Sequence, residues 1–279
     1  MGKGERALAD NDLAAALAAF DAALRLEPGD PAALAGRAEA RRRQGAYGPA
    51  IADADAALAR RPELVPALVT RGAAEAASGR PDRALADLDA ALRLEPEDAG
   101  ALGTRCAVRI MQARYEAAVA DCSAALRLRP GQPKLLLNRG AAYRYLRDWD
   151  QALADYDAAL QADPRFAPAL GNRCAVRLAL DRPADALADC GKALATDPGF
   201  AAARRNRGFV YLRLDRPDSA RADFAAVLAA APRNADALYG RSLAERALGD
   251  AAAAERDAAA ARALTPDIEA RLRADGALP

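Results

Sequence analysis

Apolar and small residues recur along this chain at steps of three and four, the periodicity of a helical face. In residues 133–166 they fall at Leu136, Gly140 and Tyr143, and they resume at Ala152, Tyr156 and Ala159 after a polar turn at Arg147 and Asp148. Asp163 and Pro164 close the stretch. The pattern predicts two helices joined by a tight turn, and it returns with a period of 34 residues. Prolines stand at Pro28, Pro62, Pro96, Pro130, Pro164, Pro198, Pro232 and Pro266. Alanine keeps the same step from Ala16 and Ala50 through to Ala254, and leucine from Leu34 to Leu238 with Arg204 as a departure. Further prolines, among them Pro31, Pro66, Pro133 and Pro217, sit where helices should start and where a missing N–H costs little. A helix of about fourteen residues is roughly 21 Å long, and one such pair cannot bury both its faces. The expectation is an all-α stack of helical hairpins.

The register divides the chain into a shortened first unit, 1–30, and seven complete units from 31 to 268 (31–64, 65–98, 99–132, 133–166, 167–200, 201–234 and 235–268). Residues 269–279 follow as a capping helix and tail, with Asp267 placed to cap it, Gly276 to end it, and Ile268 and Leu272 to cover the last unit's apolar face. The first unit lacks the opening of its first helix, so the expectation is that a preceding segment was removed or left out.

Two columns vary together. Gly4, Gly72, Gly140 and Gly208 match the large Phe20, Leu88, Tyr156 and Phe224; in alternate units Ala38, Cys106, Cys174 and Ser242 match Ala54, Cys122, Cys190 and Ala258. This reads as volume compensation across a close-packed contact, with an over-repeat of two units. Arginine and aspartate form seven further pairs, from Arg37/Asp53 and Arg71/Asp87 to Arg139/Asp155 and Arg241/Asp257, expected to brace each hairpin as salt bridges. For the cysteines the first expectation is reduced, buried thiols acting as packing residues. The alternative is two disulfides within hairpins, which would imply export.

Composition then removes function classes. The 40 Lys+Arg against 39 Asp+Glu give no basic field for nucleic acid, and the absence of histidine excludes imidazole-based catalysis and metal sites. No phosphate loop, dinucleotide-binding glycine motif or nucleophile elbow occurs, so an enzyme is not expected, nor a cofactor or metal. No apolar run is long enough to span a membrane. The expected protein is soluble, in the cytoplasm unless a signal segment has been lost, and its alanine-rich, arginine-over-lysine bias points to a bacterial genome.

Residues 133–166 resemble the tetratricopeptide repeat family, which asks for the order bulky, small, aromatic, alanine, bulky, small, proline; Leu136, Gly140, Tyr143, Ala152, Tyr156, Ala159 and Pro164 supply it. The resemblance covers essentially the whole chain. It implies a right-handed superhelical solenoid whose first helices line a concave groove, and a scaffold that binds a peptide or helix of another protein there. The carboxylate clamp with which some members hold chaperone tails has no full counterpart, because Ala73, Ala107, Ala141, Ala175 and Phe209 stand where its second asparagine belongs.

One helical stripe away from the core columns lie Thr70, Thr104, Asn138, Asn172 and Asn206. Asparagine is a poor helix-interior residue, and the resemblance implies that these asparagines grip a ligand backbone; a hydrogen bond to a neighbouring helix is the alternative. The richest groove cluster adds Lys134, Leu137, Arg144, Tyr145, Arg205, Phe209, Arg213 and Tyr239. Its positive charge suits an acidic or carboxylate-bearing segment, and its aromatics suit an apolar anchor. Self-assembly through the helix face of residues 13–26, giving a homo-oligomer, is the competing function.

Overall fold

The computed structural model describes residues 2–278, which form seventeen α-helices and no strand. They fall into two compact units, Met1–Pro130 and Gly131–Pro279. Unit 1 holds α1 (Gly2–Ala9), α2 (Leu13–Leu26), α3 (Pro31–Arg43), α4 (Tyr47–Arg60), α5 (Val65–Ala77), α6 (Pro81–Leu94), α7 (Ala99–Met111) and α8 (Tyr115–Leu128). Unit 2 holds α9 (Pro133–Tyr145), α10 (Trp149–Ala162), α11 (Ala167–Ala179), α12 (Pro183–Thr196), α13 (Ala201–Arg213), α14 (Pro217–Ala230), α15 (Ala235–Ala247), α16 (Ala251–Leu264) and α17 (Ile268–Ala274).

Local chemistry sets these boundaries. Proline opens α3, α6, α9, α12 and α14 in the first turn, and Asp30, Asp98, Asp148 and Asn234 cap their helices by accepting backbone N–H bonds. Each complete hairpin turns through one left-handed residue at the same point of the period: Gly45, Gly79, Ala113, Arg147, Asp181, Asp215 and Gly249. The next amide donates back into the helix, as Asp148 does to the Tyr143 carbonyl at 3.0 Å, which satisfies carbonyls the helix end leaves over. Glycine takes that conformation without strain, so four of the seven turns rest on context instead.

Within each unit a first helix packs on its hairpin partner and on the second helix before it, as α5 does on α6 and α4, and α15 on α16 and α14. Neighbouring first helices also touch, α3 with α5 and α11 with α13, whereas second helices do not pack on one another. Each unit therefore carries its first helices on the tighter, inner face.

The predicted volume pairs meet. A Cβ on Gly140 would lie 2.7 Å from the Tyr156 ring, and one on Gly208 2.7 Å from Phe224. The same rings also press on the next hairpin: a Cβ on Gly36 would come within 2.3 Å of Phe20, and one on Gly240 within 2.4 Å of Phe224. The cysteines correct the first expectation. Cys106–Cys122 and Cys174–Cys190 are disulfides, with Cα atoms 5.5 Å apart in both. Facing positions in a tight two-helix hairpin already provide the separation a disulfide needs.

The arginine–aspartate braces form as forked pairs. Arg173 donates from Nε and Nη2 to Asp189 at 2.8 and 2.7 Å, and Arg37 does the same to Asp53 at 2.8 and 2.7 Å. Several reach further than expected: Nη1 of Arg37, Arg71, Arg105 and Arg173 bonds Asp21, Asp55, Asp89 and Asp157 of the preceding hairpin. The guanidinium thus ties hairpin to hairpin as well as helix to helix. Hydrogen bonds donated to Asp53, Asp87, Asp121 and Asp189, and then to the aspartates of the preceding hairpins, outweigh burial and push Arg37, Arg71, Arg105 and Arg173 above their ordinary pKa.

Candidate partner-binding site

The inner face of unit 2 is built by α9, α11, α13 and α15, and every residue proposed from the sequence lies on one of these helices. Lys134 and Tyr145 are exposed, and Arg144 lays its guanidinium over the Tyr145 ring at 4.5 Å. Leu137 is half-buried beside the group formed by Tyr156 and Val176. Asn138 and Asn172 are half-buried, and Asn172 neighbours the enclosed Tyr156 hydroxyl without a hydrogen bond of ordinary geometry. Burial pushes that hydroxyl well above its usual pKa.

Other residues differ from the open-groove expectation. Asn206 donates to the Gly171 carbonyl of α11 at 3.2 Å, the neighbouring-helix alternative. Arg205 bonds Asp236 at 2.9 Å, and Arg213 bonds Asp181 at 2.5 Å, so half of the proposed basic side chains are neutralised within the chain. Phe209 and Tyr239 are 2% and 5% exposed. Phe209 stands edge-on to Phe224, with ring centroids 5.0 Å apart, and its other side is covered.

What covers it is the C-terminal segment. Ile268 and Leu272 are buried in one apolar group with Leu178, Phe209, Val210 and Tyr239. The Tyr239 hydroxyl donates to Glu269 at 2.7 Å, and Arg271 bonds Asp236. Arg147, at the turn after α9, donates to the Ala274 carbonyl at 2.6 Å. Gly276 has φ +73, and a Cβ there would lie 2.3 Å from the Ala179 Cβ of α11, so both its backbone and its contact require glycine. Between segment and helices remains a cavity of about 40 Å³, lined by Arg144, Arg205, Asn206 and Asp275 among others. That is room for a water or two, not for a side chain of a second protein. The two apolar residues of α17 were legible in the sequence as an inward face. Asp236 and Arg147 carried no signal that tied them to it, and Gly276 was legible as the helix end but not as a contact of Ala179.

Unit 1 is different on its inner face. Glu39 accepts from Arg42 and Arg43, and the Thr70 hydroxyl bonds it weakly at 3.4 Å. Burial pushes the Glu39 carboxyl up, but the hydrogen bonds and charge of the two arginines hold it below its ordinary value. Thr104 turns its hydroxyl to the Gly100 carbonyl of its own helix. Two open spaces of about 210 and 320 Å³ lie along this face, one against Phe20 and Leu64, the other beside Val69 and Thr104. Among the described residues no group of three metal-ligating side chains occurs, and no helix is long and apolar enough to cross a membrane.

Models of the tetratricopeptide repeat match residues 1–64, 69–133 and 206–267, with a second model of the same repeat at 133–166. The chain belongs to the tetratricopeptide repeat family. Solved structures of this fold include a tetratricopeptide repeat protein from Parabacteroides merdae, 22% identical, which aligns over 87% of this chain and 96% of its own with a TM-score of 0.63. The Cut9–Hcn1 hetero-tetramer of the APC/C is 15% identical over 94% of this chain and 52% of that one, with a TM-score of 0.79. YrrB, a tetratricopeptide repeat protein described as having an unusual peptide-binding site, is 22% identical over 67% and 96%, with a TM-score of 0.50. Among curated proteins nothing matches the chain. Such repeats are scaffolds for protein–protein contact, and the stacked hairpins here are that architecture.

Proposed function

We propose that this tetratricopeptide repeat protein is a non-enzymatic scaffold, and that the inner face of unit 2 binds a short segment of a partner protein. The observation that carries the reading is that this face already holds a short segment by the contacts a peptide ligand makes: apolar anchors, a tyrosine hydroxyl, an ion pair and a grip on one backbone carbonyl. The exposed Tyr145 at its edge, with the half-buried Arg144 stacked on it, adds an amphipathic anchor of the type enriched at interfaces. With Arg205 and Arg213 ion-paired internally, selectivity for plain negative charge is weaker than the sequence implied. The two disulfides support a working compartment on the oxidising side of a membrane.

A photoreactive residue in place of Tyr145 tests this, compared with the same residue at exposed Ala226 on the outer helix α14. Crosslinks from 145 alone, lost when Asn172 and Arg205 are replaced by alanine in a chain of unchanged helicity, are the expected result. Full-strength capture by that folded double variant would move the site elsewhere.

A further inference from the structure

We infer that residues 268–278 are a built-in occupant of the unit 2 site, and that the partner they stand in for is a short amphipathic helix of defined pattern. The pattern has two apolar residues four apart, an acid directly after the first and an arginine directly before the second. The inference rests on the reading of this face as the partner site and names the chemistry of what it takes.

First, α17 does not continue the stack. The last first helix, α15, packs on α14, the second helix before it; α17 lies instead against α15 and leads the chain back toward α11 and the turn after α9. A helix placed to cap the stack would cover α16. Second, each contact corresponds to one element of a recognition motif. Ile268 and Leu272 fill the apolar site, Glu269 accepts from Tyr239, Arg271 pairs with Asp236, and the Ala274 carbonyl is held by Arg147. This is the helix-in-groove mode, read through anchors one turn apart.

Third, occupancy is exclusive. The remaining cavity of about 40 Å³ leaves no room for a second segment, so partner and tail compete for one surface. Fourth, the segment is suited to leave. Helices much shorter than about twelve residues are marginal in water, and the seven residues of α17 show Glu269, Ala270, Arg273 and Ala274 to solvent. Such an element opens locally at less cost than the fold it rests on. Because it is tethered next to its site, its effective concentration is high, and a partner must bind more tightly than the tail's own weak contacts to replace it.

The test uses the full chain and a fluorescein-labelled synthetic peptide of residues 266–278. The variant Ile268→Asp/Leu272→Asp removes both anchors from the tail and leaves the face intact. The labelled peptide should bind this variant about 10–100-fold more tightly than it binds the wild type, the factor by which a mostly occupied site masks affinity. A peptide carrying the same two aspartates should not bind. Equal affinity for variant and wild type, or no binding to a variant of unchanged helicity, overturns the inference. Should the variant fail to fold, hydrogen exchange on the wild type decides: amides of 271–277 must exchange by local opening, well ahead of those of α15, and equal protection overturns it. A wild-type mass of two chains that falls to one in the variant would overturn the intramolecular assignment. The partner reading is scored apart, through competition between the labelled peptide and the protein crosslinked from position 145. If the peptide binds and that protein does not displace it, tail occupancy stands and the assignment of this face to the partner fails.

Discussion

Units 1 and 2 are built from the same hairpin, with the same braces and the same ring-on-glycine packing, yet their inner faces end in opposite states. In unit 1, Phe20 and Thr70 look onto open space beside a carboxylate clamped by two arginines. In unit 2 the equivalent ring, Phe224, lies under Phe209 and Tyr239, and these in turn lie under Ile268 and Leu272. The difference comes from what is presented. Unit 2 puts Phe209 at the position where unit 1 has Glu39, Ala73 and Ala107, and Tyr239 where unit 1 has Ala35, Val69 and Gly103. An exposed apolar patch of that kind attracts a cover, and the chain supplies one. The repeat thus fixes the frame, and residues outside the repeat signature decide what each face does.

The comparison can be broken hardest at the braces. Arg71 in unit 1 holds both Asp87 and Asp55, whereas Asp223 in unit 2 keeps Arg204 3.9 Å away if Arg207 is lost. Arg71→Ala should cost about 3–5 kcal/mol, the penalty for stranding a buried carboxylate, and Arg207→Ala less, as read from urea unfolding midpoints. Equal midpoints would show that the link between hairpins contributes nothing.

Next come the disulfides, one in each unit and each closing the same sequence separation of 16 residues. Replacing either pair by alanine should lower stability by about 2–4 kcal/mol, and by similar amounts in the two units. Intact-mass measurement without reductant should find the wild type lighter by four hydrogens than the reduced chain. A chain at the fully reduced mass would restore the packing-only reading.

A smaller effect separates the two rings. Gly240→Ala drives a methyl into Phe224, which is enclosed, and should cost about 1–3 kcal/mol. Gly36→Ala makes the matching clash with Phe20, which at 1% exposed is as buried as Phe224, but a space of about 210 Å³ adjoins that ring and gives it room to shift. Thermal melts of the two variants should therefore differ, with Gly240→Ala the lower.

The smallest effect is pH-dependent and confined to unit 1. Glu39 has a folded pKa below its ordinary 4.5, so its contribution is fully present above that value and is lost as pH falls through the lowered one. Glu39→Gln should be less stable than wild type by under about 1 kcal/mol at neutral pH, as partly exposed pairs are. The gap should close once the pH has fallen through that lowered value, where the wild-type carboxyl is protonated too. A gap that persisted at low pH would mean that Glu39 acts through packing.

The period, the helix pairs, the Arg/Asp braces and the glycine–ring contacts were legible because each is a relation within one rigid hairpin. A separation of 16 residues places two side chains opposite each other in such a hairpin, so spacing alone predicted Arg173 against Asp189 and Cys174 against Cys190. Facing positions could not say whether the two thiols would be bonded or merely packed. The inner face was less legible, because a stripe position says only that a side chain points inward. Asn206 was spent on Gly171, and Arg205 on Asp236, by neighbours 35 and 31 residues away.

The C-terminal segment marks the boundary most sharply. Its two apolar residues determined by themselves that one side of α17 would be buried. They could not determine against what, because the segment lies outside the repeat and has no register to inherit. Its place was decided by contacts such as Arg147 with Ala274, 127 residues apart in sequence. Those contacts exist only once four hairpins have stacked and brought Phe209 and Tyr239 into one apolar group that Ile268 and Leu272 complete.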